Sequence, residues 1–63
     1  MNHTWRGLNA ALRTLDEEMV LEMLNHEKAT EGRASILRRI HQRYNTLRVS
    51  RERIELLQQA KQP

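Results

Sequence analysis

Apolar positions recur along the chain at spacings of three, four and seven. The clearest run is Ile36, Leu37, Ile40, Tyr44, Leu47, Ile54 and Leu57. That is the helical period, and no alternating strand pattern competes with it. At about 100° per residue these side chains form one broad stripe. No proline or glycine interrupts Arg33 to Lys61, so the stretch from Gly32 to Lys61 predicts a single helix about 43 Å long. A helix of that length cannot bury its own stripe, so another element must lie along it. Ser50 and Arg51 break the stripe between Leu47 and Ile54, which weakens the seam there or makes it polar for a reason.

Upstream, Trp5, Leu8, Ala11 and Leu12 again have helical spacing. Thr4 is a candidate cap for this segment, which Gly7 weakens. Thr14-Leu15-Asp16-Glu17 matches a capping box, with a hydroxyl at the N-cap and a carboxylate three residues on. Asp16, Glu17 and Glu18 then put negative charge where a helix N-terminus favours it. A helix is therefore expected from Leu15 to about Lys28. The capping box argues for a break before it. The unbroken spacing of Leu8, Leu12, Leu15, Met19 and Met23 argues against one, so a separate short N-terminal helix is left open. Ala29-Thr30-Glu31-Gly32 reads as a turn, with Gly32 as the left-handed C-terminal cap.

So short a connection predicts antiparallel neighbours. The fold class expected is all-α, an antiparallel helical hairpin with a long basic second helix and, as an option, a short extra N-terminal helix. Folding the chain about residue 31 brings Met23 level with Ile40, Met19 with Tyr44, Leu15 with Leu47, Leu8 with Ile54, and Trp5 with Leu57. Glu22 and Glu18 come level with Arg39 and Arg43. Val20, Leu21, Leu24, Val49 and Leu56 are left over from this seam. Exposed apolar residues on so small a chain mark a partner or self-association site, and a homodimer is one such outcome.

Sixty-three residues form one domain at most, spanning 1–63 with a polar tail expected to fray from about 58. So short a chain buries little apolar surface. With no cysteine, neither disulfides nor thiolate metal sites can support it. Hydrophobic residues make up 38% and occur in short runs. No segment reads as a membrane span or a secretory signal, so a soluble cytoplasmic protein is expected. The net charge of +3 hides an uneven arrangement. Residues 1–31 set Arg6, Arg13 and Lys28 against Asp16, Glu17, Glu18, Glu22, Glu27 and Glu31. Residues 32–63 set seven arginines and Lys61 against Glu52 and Glu55. The basic surplus attracts acidic partners.

Catalytic chemistry has little to work with. There is no cysteine nucleophile, glycine-rich phosphate loop or GxSxG turn, and Ser35 and Ser50 lack any triad context. His3, His26 and His41 have no histidine one turn away, and Asp16-Glu17-Glu18 is explained by the helix start. No catalytic residue, metal or cofactor is expected, and the chain reads as a non-enzyme. The arginines suit phosphates, but they spread around the polar arc. Trp5 and Tyr44, the only aromatics, give no stacking platform. A membrane-surface role lacks bulky interfacial aromatics. Ile40, Tyr44, Leu47, Arg51 and Ile54 follow the 4-3-4-3 spacing of a short bundle seam. The expected partner-binding residues are Arg38, Arg39, Arg43, Tyr44, Arg48 and Arg51, on the arginine-bearing side of the long helix. The function expected is stoichiometric binding to a larger protein by a small regulatory or adaptor protein. Nucleic-acid binding is the alternative.

Two stretches carry a resemblance. Leu15-Asp16-Glu17-Glu18 on through Leu24, and Ile40-His41-Gln42-Arg43-Tyr44-Asn45-Thr46-Leu47-Arg48 followed by Arg51-Glu52-Arg53, resemble small α-helical proteins encoded by tailed bacteriophages. The resemblance covers about residues 8–57. It implies a protein that binds and redirects a host protein, such as transcription machinery or a defence complex, in the host cytoplasm. It assigns no functional residue.

Overall fold

A computed structural model describes residues 5–60, and His3, the Thr4 cap and the tail from Lys61 lie outside them. The fold is all-α. Three helices follow in order, α1 (Trp5–Thr14), α2 (Glu17–Ala29) and α3 (Ala34–Gln59). The N-terminal segment is thus a helix of its own, and the long helix is the third. Gln58 and Gln59, expected in the frayed tail, form its last residues.

The break between α1 and α2 falls at Leu15-Asp16, and Asp16 rather than Thr14 is the cap. Its carboxylate accepts from the Met19 amide at 2.9 Å. The Thr14 hydroxyl instead donates back to the Ala11 carbonyl at 2.9 Å, closing α1. An Asp side chain in extended backbone satisfies an orphan amide of the first turn directly, so it displaces the weaker hydroxyl two residues earlier. Glu17 and Glu18 follow in the first turn.

The turn after α2 is built around Gly32, whose φ is +59° and whose amide donates to the Glu27 carbonyl at 2.8 Å. Nothing lies within 4 Å of where a Cβ would stand, so the left-handed backbone alone selects glycine here. Gly32→Ala should cost about 1 kcal/mol by chemical denaturation, from the strain of an L-residue in that region.

Five side chains form the core: Leu8 and Leu12 from α1, Val20 from α2, and Ile36 and Ile40 from α3. Leu15, Met23, Leu24, Tyr44 and Leu47 pack partly against them. Val20, left over in the sequence-based register, is fully buried. The expected levels for α1 do not hold. Leu8 lines one hollow with Met23, Ile36 and Ile40 instead of reaching Ile54. Trp5 lines another with Ser35, Arg38, Arg39 and Gln42 instead of meeting Leu57. The two-residue link lets α1 fold back over the first half of α3 rather than continue in line with α2. Ile54 and Leu57 are left 57% and 69% exposed. The described residues measure 48 × 21 × 16 Å, elongated by the free end of α3.

Candidate interaction surface

Three of the six arginines of α3 tie it to the other helices. Arg39 donates to Asn9 Oδ1 at 2.6 Å. Arg43 donates to the Leu12 carbonyl at 3.0 Å, satisfying a carbonyl in the last turn of α1 that has no intrahelical partner. A cation at that end is favoured by the helix dipole as well. Arg51 forks onto the Glu17 carboxylate at 2.7 and 3.1 Å and also reaches Glu55 at 2.9 Å. These contacts raise the pKa of Arg51, chiefly through its hydrogen bonds to Glu17.

Arg48 lies over the Tyr44 ring, 5.9 Å from its centre, and donates to Asn45 at 2.6 Å. Its Nε is buried without a hydrogen-bond partner. Tyr44 is half-buried against the core. Among the expected partner-binding residues, Arg39, Arg43, Arg48 and Arg51 are therefore all engaged within the chain. Arg38 is exposed and makes no hydrogen bond or ion pair among the described residues.

The geometry around Arg38 defines a different face. Arg38, Gln42, Val49, Arg53 and Leu56 follow one another at spacings of four, seven, four and three, so they share a face of α3. That face lies opposite the buried Ile36 and Ile40. Trp5, 53% exposed, closes its upper end beside Arg38. Arg6 and Arg13 sit three residues before and four after Asn9, and so on the side of α1 that Asn9 turns towards Arg39. Arg6, Arg13 and Arg53 are exposed and unpaired among the described residues. Of these cations, Arg38 lines the hollow with the exposed tryptophan, Arg53 lies about 22 Å further along α3, and a further unpaired cation, Lys28, stands on α2. Carboxylates without an ion pair among the described residues stand on both helices, Glu18 and Glu22 on α2 and Glu52 on α3 next to Arg53. The sequence pattern sets Trp5 in the seam and Arg53 beside Glu52 and Glu55, so it counts Arg53 only among the arginines suited to phosphate and neither residue among the expected partner-binding set.

A hollow of about 390 Å³ opens near the turn, lined by Leu8, Met23, His26, Glu27 and Arg33 among others. Both of its carboxylates, Glu27 and Glu31, are committed to Arg33. Glu27 is 6% exposed and accepts from the Arg33 backbone amide at 3.0 Å and from the guanidinium at 3.1 Å through both oxygens. The Arg33 hydrogen bonds bring the pKa of Glu27 from 4.5 down to about 2. Among the described residues no group of three or more His, Asp or Glu side chains converges as a metal site, and no helix is long and apolar enough to cross a membrane.

Residues 4–50 match a family described as Domain of unknown function (DUF8129). The chain belongs to that family. The DUF8129 match takes in α1, α2 and the part of α3 that they cover, and it stops short of the exposed end of α3. No curated protein and no solved structure matches the chain.

Proposed function

We propose that this protein is a small non-enzymatic adaptor that binds a larger protein and modulates it by occlusion or bridging. In this reading α2 and α3 act as an antiparallel hairpin, and α3 presents its basic outer face. The observation that carries the reading is half-exposed Trp5 beside unpaired Arg38, in line with Val49, Arg53 and Leu56. Tryptophan and arginine dominate binding hot spots, and the apolar residues between the charges suit a partner with acidic groups beside an apolar knob. The resemblance to small phage proteins points to a host protein as that partner, such as transcription or defence machinery in the host cytoplasm.

Nucleic acid is the second reading, favoured by the number of exposed, unpaired arginines, Arg6, Arg13, Arg38 and Arg53. Val49 and Leu56 on the same face favour protein, since they offer nothing to phosphates.

The test is affinity capture of partners by the tagged chain, with and without nuclease, read by mass spectrometry. A single nuclease-resistant partner is expected, held at moderate salt. The double substitution Trp5→Ala with Arg38→Glu should reduce its capture by about tenfold or more, with helicity by circular dichroism unchanged. Capture that vanishes with nuclease would assign the face to nucleic acid.

A further inference from the structure

The hollow beside Trp5 has a chemistry of its own. It holds about 190 Å³ and is lined by Trp5, Ser35, Arg38, Arg39 and Gln42. Ser35, Arg38, Arg39 and Gln42 lie three, four and seven apart from the first of them, so they form one wall on α3. Trp5 forms the other wall, on α1. The walls are tied together, because Arg39 Nε donates to Asn9 Oδ1 at 2.6 Å and Asn9 lies one turn from Trp5. Each of the five lining side chains can donate a hydrogen bond, and two of them are cations. Among the described residues no carboxylate lines the hollow. Arg38 has no partner among the described residues. Arg39 uses only its Nε, which leaves the two terminal nitrogens of its guanidinium unmatched there.

We propose that this hollow is a socket for one acidic side chain, an aspartate or glutamate of the partner protein. The inference rests on the reading of this face as a protein-binding surface, and it adds which group of the partner is held and where. Size sets the first limit. Small-molecule pockets run to about 300–1,000 Å³, so this hollow is short of a cofactor or a nucleotide and fits a single side chain. Charge sets the second. A cation or a neutral donor placed here would meet two guanidinium groups and no anion. A carboxylate is an acceptor through both oxygens, and its bonds to Arg38 and Arg39 are charge-assisted. The indole of Trp5 gives the aliphatic stem of such a side chain an apolar wall. Spacing sets the third. A nucleic-acid strand carries a phosphate about every 3.4 Å and binds best to a row of cations. Along α3 the next unpaired arginine, Arg53, is about 22 Å away, with Glu52 beside it. Two adjacent guanidinium groups in one hollow suit one isolated anion better than a strand.

A nuclear magnetic resonance titration of the full chain tests it, with N-acetyl-Asp-Leu-amide as the probe and N-acetyl-Asn-Leu-amide as its uncharged isostere. It is run at constant ionic strength and about pH 6, where the probe's carboxylate is charged. The aspartyl probe should shift the indole N–H of Trp5, the side-chain amide of Gln42 and the Nε–H signals of Arg38 and Arg39. Saturation is expected at about 1–10 mM, as one charge-assisted contact allows. The asparaginyl isostere should bind at least about tenfold more weakly. Arg38→Gln should weaken the aspartyl probe about fivefold or more, with the rest of the amide spectrum as in the parent, because Arg38 is exposed and holds nothing in the fold. Arg13→Gln and Arg53→Gln are the controls, since neither residue lines the hollow, and each should change the affinity by less than about twofold. Equal shifts at Arg6, Arg13, Arg38 and Arg53 would show a general attraction to positive surface and overturn the socket. So would an isostere that binds as well as the aspartyl probe. A short thymidine oligonucleotide that binds more tightly than the probe and shifts all four arginines would assign the hollow to phosphate instead. The two readings fail separately. A captured partner together with a probe that ignores the hollow removes the socket and leaves the adaptor reading. A probe seated in the hollow with no partner captured removes the adaptor reading and leaves the carboxylate site standing.

Discussion

Leu12→Ala should leave the chain largely unfolded at room temperature. Leu12 and Leu8 are fully buried and make up α1's share of the core. Truncating a buried leucine costs about 2–5 kcal/mol, through lost transfer energy and the cavity left behind. A chain of this length has only about 3–9 kcal/mol of stability in total, and small cores sit at the lower end. One substitution therefore removes most of the margin. Ten-residue α1 cannot survive alone once its leucine contacts are cut, and its loss exposes Ile36 and Ile40. Thermal melts followed by far-ultraviolet circular dichroism should show the variant with little helix and no cooperative transition. Leu56→Ala, on an exposed position, should melt within about 0.5 kcal/mol of the parent. Equal melts for Leu12→Ala and the parent would mean that α1 is not docked through these leucines.

Glu27→Gln should produce the second largest effect, and a pH-dependent one. The amide keeps the shape of the side chain but loses the charge that the Arg33 guanidinium faces. The carboxylate of the folded chain has its pKa near 2, against 4.5 ordinarily. A lowered pKa means that the charged form stabilises the fold. That contribution is complete above pH about 4.5 and is lost as pH falls through about 2. The gap in melting temperature between parent and variant should be wide and constant at neutral pH. It should narrow below about 4.5 and close near 2. Thermal melts at a series of pH values would measure it. No gap at any pH would show that Glu27 contributes through shape alone, and a gap that does not vary with pH would show that its charge is not what stabilises the fold. The carboxylate also accepts from the Arg33 amide at the start of α3, so it ties the turn and the helix start to one group.

The period of apolar residues made the helices legible, and Gly32 made the turn legible, because both are local properties of the backbone. Three features were not legible, each for a physical reason. The cap at Asp16 was hidden by the better-known pattern starting at Thr14. The extended backbone at Asp16 decides between them, and spacing does not report it. The fold-back of α1 was hidden because Leu8, Leu12, Leu15 and Met19 keep their period straight through the link. A two-residue break reverses the chain without disturbing the count.

The roles of the arginines were hidden because the groups that engage them lie far away in sequence. Glu17 is 34 positions from Arg51, and the Leu12 carbonyl is 31 from Arg43. Glu27 could have been found. With Val20, Met23 and Leu24 it falls on the apolar face of α2, and a carboxylate at such a position must have a partner.

The fold-back of α1 also sets a schedule. The helix that supplies Leu8 and Leu12 leaves the ribosome first, and the Arg39 that bonds its Asn9 comes 30 residues later. At about 5–20 residues per second, newly made α1 stays without its dock for roughly 1.5–6 s. During that interval Trp5, Leu8 and Leu12 stand open to whatever waits at the tunnel mouth. α1 can close over them only after the chain has been made at least as far as Arg43.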